Sequence, residues 1–272
     1  MSGPLSMDEV NELAETAERL VAAKVARQGG ISTYHDHHIR GAVTEARHTG
    51  RTDELSPYVA LLTAERFRDP LPRLDRSDRE VLAALAFPVQ NFVATQGVTD
   101  HLTWAGRPLY KTVFDLASYP MLLAELAPGT VIELGSGSGG SALWLADVAE
   151  AHDLLPVIIS IDRTAVDLTD DRVSFRTGDI GHLGEVLADC DDLPRPWLVI
   201  EDAHAHVRAV LDFFDARLAT GDYLLIEDSL AKRATLREFL RSSPHQYQLD
   251  TRYLDLFGEN TSCAIDSILR RT

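Results

Sequence analysis

The pattern of apolar residues in this sequence changes near residue 108, and this change limits the folds that the chain can adopt. Beyond that point, short β-branched runs alternate with segments whose apolar residues have helical spacing. Continuous apolar runs suit strands that are buried on both faces, and the helices between them form crossovers between parallel neighbours. The pattern predicts a doubly wound, Rossmann-like α/β domain over residues 101–272. Strands are expected at residues 130–134, 157–162, 173–177, 197–201 and 223–227.

The C-terminal segment extends this sheet in a different way. Two further apolar runs, at residues 247–257 and 262–271, flank a short segment that begins with Gly258 and contains Asn260. Two strand-like runs joined by a Gly/Asn turn predict an antiparallel hairpin that closes the edge of the sheet. Ligands of doubly wound sheets bind outside the carboxyl ends of the strands, so functional residues are expected there.

The sequence of residues 1–100 shows helical spacing of its apolar positions, which predicts a helical appendage. Ser6–Glu9 has the spacing of a capping box, and the apolar positions after it repeat at helical spacing as far as Gly29–Gly30. Ser77–Glu80 repeats the capping pattern before an apolar run at residues 81–94. Such an appendage is a natural cap over a site or an interface between copies of the chain.

Composition narrows the classes of function. Acidic side chains outnumber basic ones by 42 to 26, and the formal net charge is -16 at pH 7. This charge argues against nucleic acid or an anionic membrane surface as a partner. The start of the chain lacks the features of a secretory signal, and no apolar run is long enough to span a bilayer, which predicts a cytoplasmic protein. Lysine occurs only at Lys24, Lys111 and Lys232, a scarcity that we attribute to codon bias.

A glycine-rich turn follows the first predicted strand and begins a helix. Gly135, Gly137 and Gly140 match the GxGxxG pattern, in which the backbone approaches a ligand closely and free N–H groups receive an anion. The pattern alone also fits a tight structural turn or a dinucleotide site. Glu133 favours a different ligand, because a carboxylate suits a cationic amino-acid group better than a pyrophosphate.

Two more carboxylates follow the next two strands. Asp162 ends the second strand, where an acidic side chain can accept hydrogen bonds from both ribose hydroxyls. Asp179 follows the third strand, within reach of an adenine amino group. Acids at three successive strand ends indicate a nucleoside site better than three unrelated turns do. The residues predicted to bind a cofactor are Glu133, Gly135, Ser136, Gly137, Ser141, Asp162 and Asp179.

These residues resemble the binding signature of class I S-adenosylmethionine-dependent methyltransferases. More narrowly, the pattern from Trp104 to Tyr119, the block at residues 132–147 and the tail at residues 257–271 resemble the cephalosporin hydroxylase-like family. The resemblance covers residues 100–272. It implies a methyltransferase fold, S-adenosylmethionine as cofactor and a divalent metal site. It also implies a homo-oligomer, for which residues 1–100 are the natural interface. Since the best-known member acts in antibiotic methoxylation, it also implies a small specialised metabolite as acceptor.

Acidic residues also follow the fourth and fifth strands. Glu201 ends the fourth, Glu227 and Asp228 follow the fifth, and neighbouring strand ends meet at one rim. Crowded carboxylates repel one another unless they are protonated or bridged by a hard cation such as Mg²⁺. The resemblance implies one acid after the fourth strand and an acidic pair after the fifth. Glu201, Glu227 and Asp228 are therefore the predicted metal ligands, with Asp202 as the alternative to Glu201 and a metal-free acidic rim left open.

His204 is the predicted catalytic base. It lies three positions after Glu201, where the resemblance to catechol-type O-methyltransferases implies a base, and an imidazole can accept a proton at neutral pH. It can equally orient a carboxylate or cap the next helix, and His206 and Asp202 are second candidates. The histidines of residues 34–38 fit a solvated loop or helix start better than a metal site, because adjacent side chains diverge.

These observations lead to one expected function and three alternatives. The expected function is metal-dependent O-methylation of a small-molecule acceptor by S-adenosylmethionine. The same cofactor with N-methylation or a non-methyl reaction, an NAD-dependent oxidoreductase, and a non-catalytic partner protein are the alternatives. In this interpretation the cofactor or the acceptor is framed by Trp104, Lys111 and Tyr119. The alternative is that these side chains pack in the core.

Overall fold

The computed structural model describes residues 5–86 and 101–272. These residues divide into two compact units, the first ending at Glu65 and the second beginning at Arg66. The division falls earlier than the expected boundary at residue 100, because Phe67 pairs with Asp250 in the C-terminal part of the sheet. Residues 87–94 of the expected helical run lie outside the described residues.

The described residues of the first unit form three helices: α1 Met7–Arg27, α2 Tyr34–Thr49 and α3 Leu55–Thr63. The capping box of Ser6 and Glu9 begins α1, as predicted. A second box, of Thr33 and Asp36, begins α2, so the histidine-rich segment is the first turn of a helix. Small and β-branched side chains let the helices pack closely around one apolar cluster. That cluster consists of Val10, Ala14, Ala17, Val21, Ile39, Val43, Ala46 and Leu55.

The second unit is built on an eight-stranded sheet with the strand order β1-β9-β10-β8-β7-β4-β5-β6. The central strands are parallel, and most of their residues are apolar and buried, which confirms the doubly wound α/β prediction. A separate pair is formed by β2 and β3. The strands are β1 Phe67–Arg68, β2 Thr103–Trp104, β3 Arg107–Pro108, β4 Thr130–Leu134, β5 Val157–Asp162, β6 Val173–Thr177, β7 Trp197–Glu201, β8 Tyr223–Ile226, β9 Tyr247–Asp250 and β10 Ile268–Arg271.

Helices and short 3₁₀ turns connect the strands. Residue Ser77 caps α5 with the predicted capping box to Glu80. No helix of residues 5–86 and 101–272 has the length and apolar character that a bilayer-spanning segment requires. The helices are α4 Leu71–Leu74, α5 Asp78–Ala84, α6 Asp115–Leu126, α7 Gly140–Ala151, α8 Leu183–Val186, α9 Val207–Asp215, α10 Arg233–Ser242 and α11 Thr251–Asp255.

The register of the parallel strands sets the position of the site. Leu134 of β4 pairs with Glu201 of β7, and Glu201 pairs with Ile226 of β8. The residues that follow these three strands therefore meet at one edge of the sheet.

The C-terminal strands pair as predicted, but the connection between them differs. Strand β10 pairs antiparallel with both β9 and β8. The residues after β9 form helix α11 instead of continuing as a strand, because the Asp250 side chain accepts a hydrogen bond from Arg252 N and starts a helical turn. The predicted antiparallel pairing is confirmed, but the connection is longer than residues 258–261, because it also includes a helix and residues 262–267.

Asp266 is the buried centre of an arginine cluster that ties residues 73–76 to the C-terminal segment. Arg233 Nη1 lies 2.7 Å from Asp266 Oδ2, and Arg76 and Arg73 approach the carboxylate at 3.2 and 3.3 Å. Asn260 Nδ2 donates a further hydrogen bond of 2.9 Å. Burial alone would raise the pKa of Asp266, but these donors hold it below its usual value.

We expect Asp266→Asn to lower the free energy of unfolding by roughly 1.5–3 kcal/mol at neutral pH, as for the loss of hydrogen bonds to a charged group. Because the folded pKa is depressed, this stabilisation is present above the usual aspartate pKa and disappears as the pH falls through the folded value. The difference in urea unfolding between variant and wild type should shrink accordingly in acid. Asp78→Asn is the control, since Asp78 is exposed and 3.8 Å from the same Arg233. An equal loss in both variants would contradict the prediction.

Candidate active site

A cavity of about 760 Å³ opens at the carboxyl ends of the parallel strands. Four of the predicted cofactor-binding residues line it: Gly135, Gly137, Asp162 and Asp179. The acids that follow β7 and β8, Asp202 and Asp228, line the same cavity, as does His204. The residues predicted to bind a nucleoside and the acids that follow β7 and β8 thus line the same cavity.

The glycine-rich turn is shaped by two positions that only glycine can occupy. Gly135 has a φ of +106°, and a Cβ there would lie 2.8 Å from the backbone carbonyl of Asp202. At Gly140, a Cβ would lie 2.2 Å from the carbonyl oxygen of Pro108. Gly137 differs, because a Cβ there would point into open space. The turn therefore packs tightly behind the cavity and leaves room in front of Gly137.

The carboxylates of Asp162 and Asp179 are held by backbone donors. Gly137 N donates to Asp162 Oδ2 at 3.0 Å, and Thr164 N donates to Oδ1 at 2.9 Å. Asp179 Oδ1 accepts from Gly181 N at 2.8 Å, and this hydrogen bond lowers the pKa of Asp179. Both side chains are thus oriented at the cavity wall before a ligand binds.

The remaining predicted cofactor residues lie behind the wall. Glu133 is fully buried and accepts a hydrogen bond of 2.5 Å from Ser160 Oγ, which is also 2.6 Å from Ser136 Oγ. Burial raises the pKa of Glu133. Ser136 is buried and Ser141 lies in the first turn of α7, and neither is among the residues that line the cavity.

Two of the three predicted metal ligands are buried and bound by lysines. Glu201 Oε2 accepts from Lys232 Nζ at 2.7 Å, and its Oε1 accepts from His204 N at 3.2 Å. Glu227 Oε2 accepts from Lys111 Nζ at 2.5 Å, and its Oε1 accepts from the Tyr119 hydroxyl. Every carboxylate oxygen of this pair is therefore engaged by a donor of the chain itself.

The adjacent acids, with His204, form the cluster that faces the cavity. One ligand atom each of Asp202, His204 and Asp228 lie within 4.8 Å of one another. His204 Nε2 is 3.3 Å from Asp228 Oδ2 and 3.6 Å from Asp202 Oδ1. Burial and the neighbouring charge of Glu227 raise the pKa of Asp202 well above its usual value. A positive charge in this cluster would reverse that effect.

Three non-glycine residues of the cavity wall have left-handed backbone conformations. The φ values are +56° for His204, +51° for His206 and +47° for Asp228. Such residues store strain and are concentrated at functional sites. Their alignment along one cavity supports a binding role for these loops.

Sequence reasoning missed one residue of the site and left two undecided. Lys232 was not singled out, and Lys111 and Tyr119 were considered only as framing or packing residues. The structure places Lys111, Tyr119 and Lys232 directly on the buried glutamates. Trp104 instead packs against the core and donates a hydrogen bond of 2.6 Å to Asp147.

Comparison with known proteins gives a match in the first part of this domain. Residues 96–177 match the family model described as Rhamnosyl O-methyltransferase/CmcI. The Rhamnosyl O-methyltransferase of Mycobacterium leprae is 31% identical over 140 residues, which cover 47% of this chain and 60% of that protein. Its Mycobacterium bovis namesake is 28% identical over 138 residues, which cover 47% of this chain and 56% of that protein. The chain thus spans a little over half the length of these curated relatives.

Solved structures show the same fold over a larger share of the chain. An apo structure of CmcI has a TM-score of 0.57 at 21% identity and covers 84% of this chain and 99% of its own. A cmcI structure with Mg and SAM has a TM-score of 0.56 at 22% identity, covering 79% and 95%. The family resemblance drawn from the sequence is confirmed. Residues 96–177 thus resemble the Rhamnosyl O-methyltransferase/CmcI family, and the chain shares the fold of CmcI.

Proposed function

We propose that this protein is a metal-dependent O-methyltransferase that uses S-adenosylmethionine to methylate a small-molecule acceptor. The observation that carries the proposal is the shared cavity. Its wall contains the nucleoside-type residues Gly137, Asp162 and Asp179 together with the acidic pair Asp202 and Asp228. A methyl donor and an acceptor must meet in one such space, because the reaction depends on bringing two substrates to near-attack distance.

The cavity wall fits an adenosyl cofactor. Asp162 would accept hydrogen bonds from the ribose hydroxyls, and Asp179 would accept one from the adenine amino group. The open space in front of Gly137 leaves room for the ligand beside its backbone. Glu133, Ser136 and Ser141 would act from behind the wall by fixing the turn, and S-adenosylmethionine bound here would supply an electrophilic methyl group.

The acidic cluster fits a hard divalent cation such as Mg²⁺. Asp202 and Asp228 would hold it through carboxylate oxygens, the donor type that Mg²⁺ prefers. In this proposal Glu201 and Glu227 support the pair from behind, since lysines already bind them. A cation in this place would make an acceptor hydroxyl more acidic.

His204 would accept the hydroxyl proton. Its side chain is 53% exposed, against 18% for Asp202 and 29% for Asp228, so it is the most accessible member of the cluster. Nε2 lies next to both carboxylates, so the base would stand beside the proposed cation site, where the acceptor hydroxyl would bind. His206, 3.7 Å from Asp179, lies on the nucleoside side and is the second candidate.

The relatives suggest the class of acceptor. The curated relatives are named as rhamnosyl O-methyltransferases, so we propose a hydroxyl of a glycosylated or otherwise polar specialised metabolite. The strongly acidic composition is unfavourable for nucleic acid or anionic lipid. We further propose that the protein works in the cytoplasm as a homo-oligomer, with the helical first unit as the natural interface.

Calorimetric titration tests the cofactor assignment. S-adenosylmethionine and its demethylated product should bind both with Mg²⁺ and with EDTA, whereas NAD should not bind. Methyl transfer from labelled S-adenosylmethionine to a panel of glycosides should then cease in EDTA and return with Mg²⁺. Binding of NAD, without binding of S-adenosylmethionine or its demethylated product, would overturn the proposal. Turnover that is unaffected by EDTA would show that the reaction does not require a metal ion.

A further inference from the structure

All three lysines of the chain are bound to buried carboxylates. Every other basic residue apart from histidine is arginine, so lysine is rare here. Lys24 lies 2.6 Å from the buried Asp36 in the helical unit. Lys111 and Lys232 bind the buried Glu227 and Glu201 of the site. Codon bias explains why lysine is scarce but does not explain these positions.

The two lysines of the site connect the ends of strands β7 and β8. Lys232 Nζ donates to Glu201 Oε2 and to the Glu227 carbonyl oxygen, both at 2.7 Å. Lys111 Nζ donates to Glu227 Oε2 at 2.5 Å and is 3.5 Å from Asp202 Oδ2. Each ammonium thus contacts oxygens of both strand ends or of their loops, and both lysines are themselves buried.

An ammonium fits these places better than a guanidinium does. The ammonium is a compact charge with three donors that can point in different directions, whereas the guanidinium is a broader group whose donors lie in one plane. Lys232 has to reach a carboxylate and a backbone carbonyl on two different strands. A compact ammonium therefore suits the buried space between these two strand ends.

We propose that Lys111 and Lys232 are positioning residues for the reaction. They act as internal cations that neutralise Glu227 and Glu201, and so determine how strongly Asp202 and Asp228 bind a divalent cation. This inference rests on the proposed function, because it concerns the same cation site. The ammonium of Lys111 lies beside Asp202 and opposes a cation there, while Glu227 favours one, and the two effects largely cancel.

The test is Mn²⁺ binding, measured by electron paramagnetic resonance on the full chain. Lys111→Gln should bind Mn²⁺ about tenfold more tightly than wild type, because a positive charge next to the site is lost. Glu227→Gln should bind about tenfold more weakly, for the opposite reason. The double variant should return to the wild-type affinity. If Lys111→Gln fails to fold, Lys232→Gln is measured in its place. This variant should also bind Mn²⁺ more tightly than wild type.

Lys24→Gln is the matched control. It removes an ammonium from a buried carboxylate in the helical unit and should lower the melting temperature without changing Mn²⁺ affinity. An unchanged affinity in both Lys111→Gln and Lys232→Gln would overturn the inference and leave the proposed function intact. A double variant as weak as Glu227→Gln would also overturn it, by making Glu227 a direct ligand. A wild-type chain that binds no Mn²⁺ would contradict the proposed function itself.

Discussion

Replacing Asp228 with asparagine is expected to lower methyl transfer by about 10²–10³-fold, the range found when one preorganised electrostatic contact is removed from an active site. The substitution keeps the shape of the side chain and removes its charge. Asparagine also tolerates the left-handed backbone of this position, where φ is +47°, so the loop should keep its conformation. Affinity for Mn²⁺ should fall by about 100-fold, since cation affinity follows the charge of the ligands.

Two measurements separate this effect from general damage. Affinity for S-adenosylmethionine in EDTA should stay within about threefold of wild type, because the nucleoside residues are untouched. Asp212→Asn is the control variant, since Asp212 lies exposed on α9 in an ion pair with Arg208, and such pairs contribute little. Full Mg²⁺-dependent activity in Asp228→Asn would show that Asp228 is not a ligand of the proposed cation.

Gly135→Ala is expected to weaken binding of S-adenosylmethionine by more than about 30-fold and to destabilise the second unit. A side chain at φ +106° is strained, and left-handed conformations of L-residues cost roughly 1–2 kcal/mol. The added Cβ would also lie 2.8 Å from the Asp202 carbonyl, an overlap whose relief costs roughly 1–3 kcal/mol more. Because the obstacle is backbone, the turn or the Asp202 loop must move.

Calorimetry and thermal unfolding together test this expectation. Gly184→Ala is the control, because nothing lies within 4 Å of its added Cβ and Gly184 is in helix α8. Alanine should leave cofactor binding unchanged there and stabilise the helix by roughly 0.5–1 kcal/mol. Wild-type affinity in Gly135→Ala would show that the close approach of the turn to Asp202 is not required for binding.

The sheet could be predicted because each strand is specified by the residues within it and directly beside it. Each central strand is a short, continuous apolar run between clear helical segments, and the structure places all five where the sequence indicated them. The error at residues 251–257 has a local cause as well. Asp250 caps a helix there, and the aromatic and apolar residues that suggested a strand, Tyr253 and Leu254, are buried in a helical turn.

The details of the acidic site were not predictable, because they depend on which neighbour each carboxylate finds. Spacing alone does not distinguish Glu201 from Asp202, or Glu227 from Asp228. The distinction follows from Lys111 and Lys232, which are far away in sequence from at least one partner each. The rarity of lysine was a usable signal. In a chain this rich in arginine, each of the three lysines pairs with a buried carboxylate.

Strand β10 is synthesised after every other described strand, yet it lies between β8 and β9. A growing chain therefore has β8 with an unpaired edge until residues 268–271 have left the ribosome. During the same interval β9 and β1 have no attachment to the parallel strands through the sheet. Exposed strand edges favour pairing with other chains, and long-range pairings form slowly. Until residues 268–271 are available, the sheet therefore exposes strand edges at which pairing with other chains can begin.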